Sequence, residues 1–163
     1  MTGPSRDIEI LPATPADVPL ILALIRELAE FVGLLSEVQA TEESLRETLF
    51  GAHPCAEVLL ARSDDEVAGF ALYFQNYSTF LAKPGLYLED LYVRAPFRGR
   101  GVGSALLRHL ARIAVERGCG RFEWAVLAWN RRAIDFYHGL GARLEEDSRI
   151  FRLSGDALMK LGR

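Results

Sequence analysis

Between Thr14 and Phe31 the apolar residues Val18, Ile21, Leu22, Ile25, Leu28 and Ala29 recur at the spacing of one helix face. Thr14 is placed to cap that helix, Pro15 takes its first position, and Asp17 closes back on the cap. Gly33-Leu34-Leu35 breaks the run. Thr41 caps a second, shorter helix to about Leu49, ended by Gly51 to Pro54. Ahead of the first helix, Ile8 to Leu11 reads as a short strand and Met1 to Asp7 as a loose terminus. Val58 to Ala61 and Val67 to Phe74 read as strands joined at the polar loop Ser63-Asp64-Asp65-Glu66. Gln75 to Gly85 reads as a loop carrying the aromatic residues Tyr77 and Phe80.

The apolar run Leu86 to Val93 predicts another strand, interrupted by two adjacent carboxylates, Glu89 and Asp90. A glycine-rich basic turn follows, Arg98-Gly99-Arg100-Gly101-Val102-Gly103. It opens an amphipathic helix with Val102, Ala105, Leu106, Leu110, Ile113 and Ala114 on one face. Arg121 to Ala128 predicts a strand, Asn130 the cap of a helix to about Leu140, and Gly139 or Gly141 its end. Arg143 to Arg152 predicts one or two final strands, and Gly155 to Leu161 a short tail helix. The early hairpin argues against a doubly wound dinucleotide domain, which places a helix between its first strands.

The chain has 163 residues, half of them apolar and a quarter charged, which suits one domain over 1–163 with a core at about 8–153. A net charge of −3 supplies no basic field for nucleic acid or an anionic membrane. Neither a long apolar span nor a cationic leader is visible, so the expectation is a cytoplasmic protein. Cys55 and Cys119 stand apart without metal spacing and read as reduced. His53, His109 and His138 are scattered, so no metal is expected.

The strand, glycine turn and helix start make an anion site: glycines admit a ligand close to the backbone, and the first free N–H groups of the helix face it. The phosphate-loop pattern is absent because no Lys-Ser/Thr pair follows. The dinucleotide pattern fails because Ser104 stands where its third glycine belongs. What remains, Arg98, Gly101 and Gly103 after an apolar strand, resembles the acetyl-CoA pyrophosphate loop of the GCN5-related N-acetyltransferases (the GNAT superfamily). Arg26-Glu27-Leu28-Ala29-Glu30-Phe31, Tyr87-Leu88-Glu89-Asp90-Leu91-Tyr92-Val93 and Ala125-Val126-Leu127-Ala128-Trp129-Asn130-Arg131-Arg132-Ala133 narrow the resemblance to diamine acetyltransferases, most of all the thialysine N-epsilon branch. Tyr137 and Leu140-Gly141-Ala142 extend it, and it runs from Ile10 to about Arg152.

The resemblance implies an α/β (α+β) fold, with a mixed, mostly antiparallel central sheet of six to seven strands flanked by helices. It implies acetyl-CoA contacts from Leu91, Tyr92 and Val93, whose backbone pairs with pantetheine amides like an added strand. Further contacts fall on Arg98, Gly99, Arg100, Gly101, Val102, Gly103 and Ser104 in the turn, and on Asn130, Arg131, Arg132 and Ala133. Phe31, Val32, Glu89, Asp90, Glu123, Trp124 and Ala125 line the acceptor pocket by the same resemblance. It makes Tyr137 the general acid and Glu89 the acceptor-side base. Relatives are homodimers, which extends that expectation here.

The chemistry can be argued from the residues as well. A primary amine with a pKa of ~10.4 is protonated at neutral pH, and deprotonating it is an obstacle of about 4 to 5 kcal/mol. A carboxylate attracts the cation and accepts its proton, directly or through water. Glu89 and Asp90 interrupt the most apolar strand, where charge is costly unless used or paired. In a regular strand they face opposite ways, so only one serves a given cleft unless a bulge re-aims the other. Their structural alternative is an ion pair to Arg121 or Arg149.

Tyr137 lies on the helical stripe of Ala133 and Ile134, where periodicity alone reads a core tyrosine. As an acid, its phenol (pKa ~10) is protonated at neutral pH and available to a leaving thiolate. Arg131 and Arg132 sit at the positive end of their helix, a slightly unfavourable place that a phosphate would offset. Two solvated arginines are the alternative.

Polyamine-acetylating relatives carry acidic residues at the positions of Val32 and Ser78 and a tryptophan at that of Phe80, so a small amine, thialysine-like or a short diamine, is expected over spermine. Val32 departs from the thialysine branch too. Other classes to weigh are a protein lysine or N-terminal acetyltransferase, a non-catalytic acyl-CoA sensor, and a nicotinamide-binding module using Glu123.

Overall fold

The computed structural model describes residues 7–163, so the terminus expected at Met1 to Asp7 lies, but for Asp7, outside the described residues. The chain divides into two units, the first ending at Ala125 and the second running Val126–Arg163.

The first unit is built on five strands in the order of the chain, β1 (Ile8–Pro12), β2 (Glu57–Ser63), β3 (Glu66–Ser78), β4 (Lys83–Val93) and β5 (Arg121–Trp124). The first four pair antiparallel and β5 joins β4 in parallel, giving a mixed sheet. Its helices are α1 (Val18–Phe31), α2 (Glu42–Phe50) and α3 (Val102–Glu116).

The helix signals act as their chemistry predicts. Thr14 donates its N–H and hydroxyl to Asp17 Oδ2 at 2.7 and 3.1 Å, closing the first turn before α1. Thr41 Oγ1 accepts the Ser44 N–H at 3.1 Å at the head of α2. The apolar stripes of α1 and α2 (Val18, Ile21, Leu22, Leu24, Leu45 and Leu49) bury against Val58, Leu60 and Phe70 of the sheet. The buried residues of α3 are Val102, Leu106, Leu107, Leu110 and Ala114.

The hairpin between β2 and β3 turns at Asp64 and Asp65, both with positive φ (54° and 62°), the backbone whose twist matches paired strands. The segment 75–85 departs from its expected loop. β3 runs on to Ser78 and β4 starts at Lys83, leaving only Thr79–Ala82 as the connection. Cross-strand pairing overrides the breakers Pro84 and Gly85, and the Asn76 side chain fills the place of a Gly85 Cβ.

In the second unit α4 (Arg131–Gly139) is capped by Asn130, whose Oδ1 accepts the Ala133 N–H at 3.2 Å, and α5 (Gly155–Leu161) closes the chain. The strands expected within Arg143 to Arg152 are absent, and β5 ends at Trp124 instead of Ala128, so the sheet has five strands where six to seven were expected. A strand exists only where another backbone pairs with it. Here the polar groups of 143–152 turn to local partners: Arg143 bonds Glu145, and Arg149 donates to the carbonyls of Glu146 and Ser148.

Candidate active site

The carboxylate pair sits at an irregularity in β4. Asp90 pairs with Leu72 and Leu88 with Tyr73, so Glu89 is an extra residue with no partner on β3. Because β3 is regular through this stretch, Phe70, Leu72 and Phe74 share one face, the face packed by α1 and α2. Their partners Tyr92, Asp90 and Tyr87 share it too. Without the bulge, Tyr87 and Asp90 would point to opposite sides of the sheet.

Charge gathers at this place. Burial first, then the charge of Glu89, pushes the Asp90 carboxyl up from 3.8 to about 6. The Tyr87 phenol is raised by burial and by the carboxylates of Glu89 and Glu123. Glu89 itself is exposed. Arg121 bonds Glu123 at 2.8 Å, and Arg149 donates to the carbonyls of Glu146 and Ser148. Among the described residues neither Glu89 nor Asp90 is in an ion pair.

The bulge also opens the sheet. Pairing of β4 with β5 ends at Leu88–Trp124, and beyond it, among the described residues, β4 pairs with β3 alone. Arg94 donates its N–H to Ala68 O at 2.8 Å. Bonded pairs alternate along an antiparallel ladder, so Leu91 and Val93 turn their N–H and C=O groups to the open edge. One of these is in use: Arg98 Nε donates to Val93 O at 2.9 Å.

The glycine turn stands directly after this edge. Gly99 and Gly101 have φ of 74° and 85°, a conformation that side chains disfavour, and almost nothing stands where their Cβ atoms would lie. Gly101 heads α3 with no capping side chain, and the first helical bond is Ala105 N–H to Gly101 O at 2.9 Å. The N–H groups of Val102, Gly103 and Ser104 therefore have no helical partner, and no acidic residue lies in that turn. Open space, free donors and an unpaired strand edge fit a long ligand carrying amides and phosphates.

Phe31, expected in the acceptor pocket, ends α1 with its ring half exposed, and Val32 is the C-cap beside it. Arg98 lies over the Phe31 ring at 4.5 Å. Glu123 and Trp124 are half-buried on β5, and Ala125 is exposed after it. Ser78, where polyamine acetylators carry an acid, is buried at 3% exposure and its hydroxyl accepts the Leu81 N–H at 3.3 Å.

The second unit carries the remaining candidates. Arg131 and Arg132 are exposed in the first turn of α4 and Ala133 is half-buried. Tyr137 is half-buried, its ring tilted against that of Phe136 with centroids 5.5 Å apart, and burial raises its phenol pKa, so it keeps its proton at neutral pH. Two residues that brace the first unit were missed as a pair: Glu27, within a motif of the resemblance, and Arg94, outside it, form a two-pronged ion pair, at 3.0 and 2.7 Å, between α1 and the residue after β4. Their spacing, four residues before Phe31 and four before Arg98, was the available sign.

A sheet edge left open beside a bulge, followed by a glycine turn and a bare helix N-terminus, is the arrangement the family resemblance implied for an acyltransferase using a coenzyme A thioester. The chain belongs to the acetyltransferase (GNAT) family, whose family model matches residues 22–142. It is an acetyl-CoA-dependent N-acetyltransferase. It is 39% identical to the thialysine N-epsilon-acetyltransferase of Bos taurus, with 94% of this chain and 96% of that one covered. It is 37% identical to the L-ornithine N5-acetyltransferase of Arabidopsis thaliana, over 91% of this chain and 85% of that one. Among solved structures, an integron cassette protein from the mobile metagenome of V. cholerae superposes with a TM-score of 0.80 at 30% identity, covering 96% and 98% of the two chains. No helix among the described residues is long and apolar enough to cross a membrane, and no group of potential metal ligands is present among them.

Proposed function

We propose that this acetyltransferase acts on the primary amine of a small molecule, thialysine-like or a short diamine, by direct attack in a ternary complex. The observation that carries this is the Glu89 bulge, which presents two carboxylates without cationic partners beside the open edge of β4. The names of the thialysine and ornithine acetyltransferase relatives support the same acceptor class.

Bound acetyl-CoA supplies the acetyl group as a thioester. Leu91 and the N–H of Val93, whose carbonyl Arg98 occupies, would hold its amides, and the turn Arg98–Ser104 with the α3 N-terminus its phosphates. Asn130, Arg131, Arg132 and Ala133 are read as further coenzyme contacts. Glu89 attracts the ammonium and takes its proton, through water where the distance requires it. Asp90 and Glu123 add negative charge for the cation, and Phe31, Val32, Trp124 and Ala125 enclose its apolar part. The Tyr137 phenol holds the proton that the departing sulfur needs. We read 8–153 as one catalytic domain that works as a cytoplasmic homodimer. A monomer in sedimentation would remove the last point.

Thiol release from acetyl-CoA, measured with thialysine, ornithine, lysine, putrescine, spermidine, spermine and a basic peptide, tests the reading. Release is expected with the small amines and a fall of at least ~10-fold in Tyr137→Phe. Faster turnover of spermine or of the peptide than of any small amine overturns the acceptor class.

A further inference from the structure

The segment joining β4 to α3 reaches back to α1 twice. Arg94 grips Glu27 through two hydrogen bonds, at 3.0 and 2.7 Å. Four residues on, Arg98 lays its guanidinium over the Phe31 ring, 4.5 Å from the centroid, with the Tyr92 ring at 5.8 Å. Glu27 and Phe31 are also four apart, so both contacts fall on one stripe of the last turns of α1.

The stack has more behind it than packing. Phe31 is 51% exposed, so its ring contributes little to the core. The last turn of α1 has no basic residue of its own, so the Arg98 guanidinium supplies the cation at the negative end of the helix. The same side chain is fixed from its other side by the Nε bond to Val93 O at 2.9 Å. Three independent contacts thus order one long side chain at the mouth of the glycine turn.

We propose that Phe31 is a positioning residue for the coenzyme turn. Its ring holds Arg98 in one orientation, so that acetyl-CoA affinity and whatever packs on Phe31 from the acceptor side are linked. A guanidinium that is already ordered loses less freedom on meeting an anion, and a linkage of this kind is reciprocal between the two ligands. The inference rests on the reading of the turn as the coenzyme site.

Calorimetric titration of acetyl-CoA without amine tests it, using the parent, Phe31→Leu, Phe31→Tyr, Arg98→Gln and the Leu/Gln double variant. Phe31→Leu is expected to weaken binding about three- to ten-fold, the range for ordering one long side chain on binding. Phe31→Tyr, which keeps the ring, retains the parent affinity, and Phe31→Leu adds nothing in the Arg98→Gln background. Should Phe31→Leu fail to fold, Phe31→Met, which also removes the ring, takes its place in both backgrounds with the same expected loss. Unchanged affinity in the variant used, or an equal loss from Phe31→Leu in both backgrounds, removes the role of Phe31 while leaving the coenzyme site in place. A parent protein that binds no acetyl-CoA overturns the site and this inference together.

Discussion

Asp90 stands opposite Leu72, on the sheet face packed by α1 and α2, and it does so because Glu89 is left out of the pairing. The bulge leaves Glu89 unpaired beside Asp90, and the charge of Glu89 adds to burial in raising the pKa of Asp90. A carboxyl held in that place works against stability. Its retention is understandable if charge is what the site needs.

Stability should therefore depend on pH through Asp90. Burial and the charge of Glu89 push its carboxyl up from the ordinary 3.8 to about 6 in the folded chain, so the unfolded chain gives up its proton more readily. The contribution is complete below pH ~4 and lost as pH rises through ~6, by as much as about 3 kcal/mol. Asp90→Asn should gain about 1 to 3 kcal/mol in urea unfolding at pH 7.5 and almost nothing at pH 3.5. An equal gain at both values would show that Asp90 is not held in this state.

Glu27 and Arg94 should show energetic coupling. The pair is two-pronged and partly shielded, at 35% and 29% side-chain exposure, and Arg94 also donates to Val67 O at 3.2 Å. A double-mutant cycle with Glu27→Gln and Arg94→Met should give about 1 kcal/mol of interaction, shrinking in high salt. No coupling at low salt would mean that the strut does not restrain α1.

Gly69 should tolerate no side chain. A Cβ there meets the carbonyl oxygen of Tyr92 in the neighbouring strand, and neither backbone can retreat without breaking the ladder. Gly69→Ala should lose at least about 2 kcal/mol. A loss below about 0.5 kcal/mol in a melting series would contradict the tight approach of β3 and β4.

Gly101 and Gly103 should answer alanine with opposite signs in stability. Gly101 has φ 85°, so Gly101→Ala should lower stability by about 1 kcal/mol. Gly103 lies within α3 with its nearest neighbour, Val93 Cγ2, at 3.9 Å, so Gly103→Ala should raise it by about 0.5 to 1 kcal/mol. If the turn holds phosphates, both variants bind acetyl-CoA more weakly, and Gly103→Ala becomes more stable and less competent at once. A Gly103→Ala protein with unchanged acetyl-CoA affinity would move the coenzyme away from that turn.

Much of this protein is local, and what is local could be read from the chain. The caps at Thr14, Thr41 and Asn130 form bonds within three residues, and the stripes of α1 and α3 need only a period of 3.6, so their helices fall where the pattern puts them. The two-aspartate hairpin and the glycine turn before α3 are equally short-range. The tertiary structure decided whatever depends on a partner distant in sequence. Whether 75–85 is loop or strand depended on the pairing of β3 with β4, and whether 143–152 is strand depended on a backbone to pair with it. The facing of Asp90 was set by a register slip against Leu72, and the seat of Arg98 by a helix end 67 residues away. A side chain's chemistry is carried by its own residue. Its direction, burial and neighbours are properties of what the fold brings beside it.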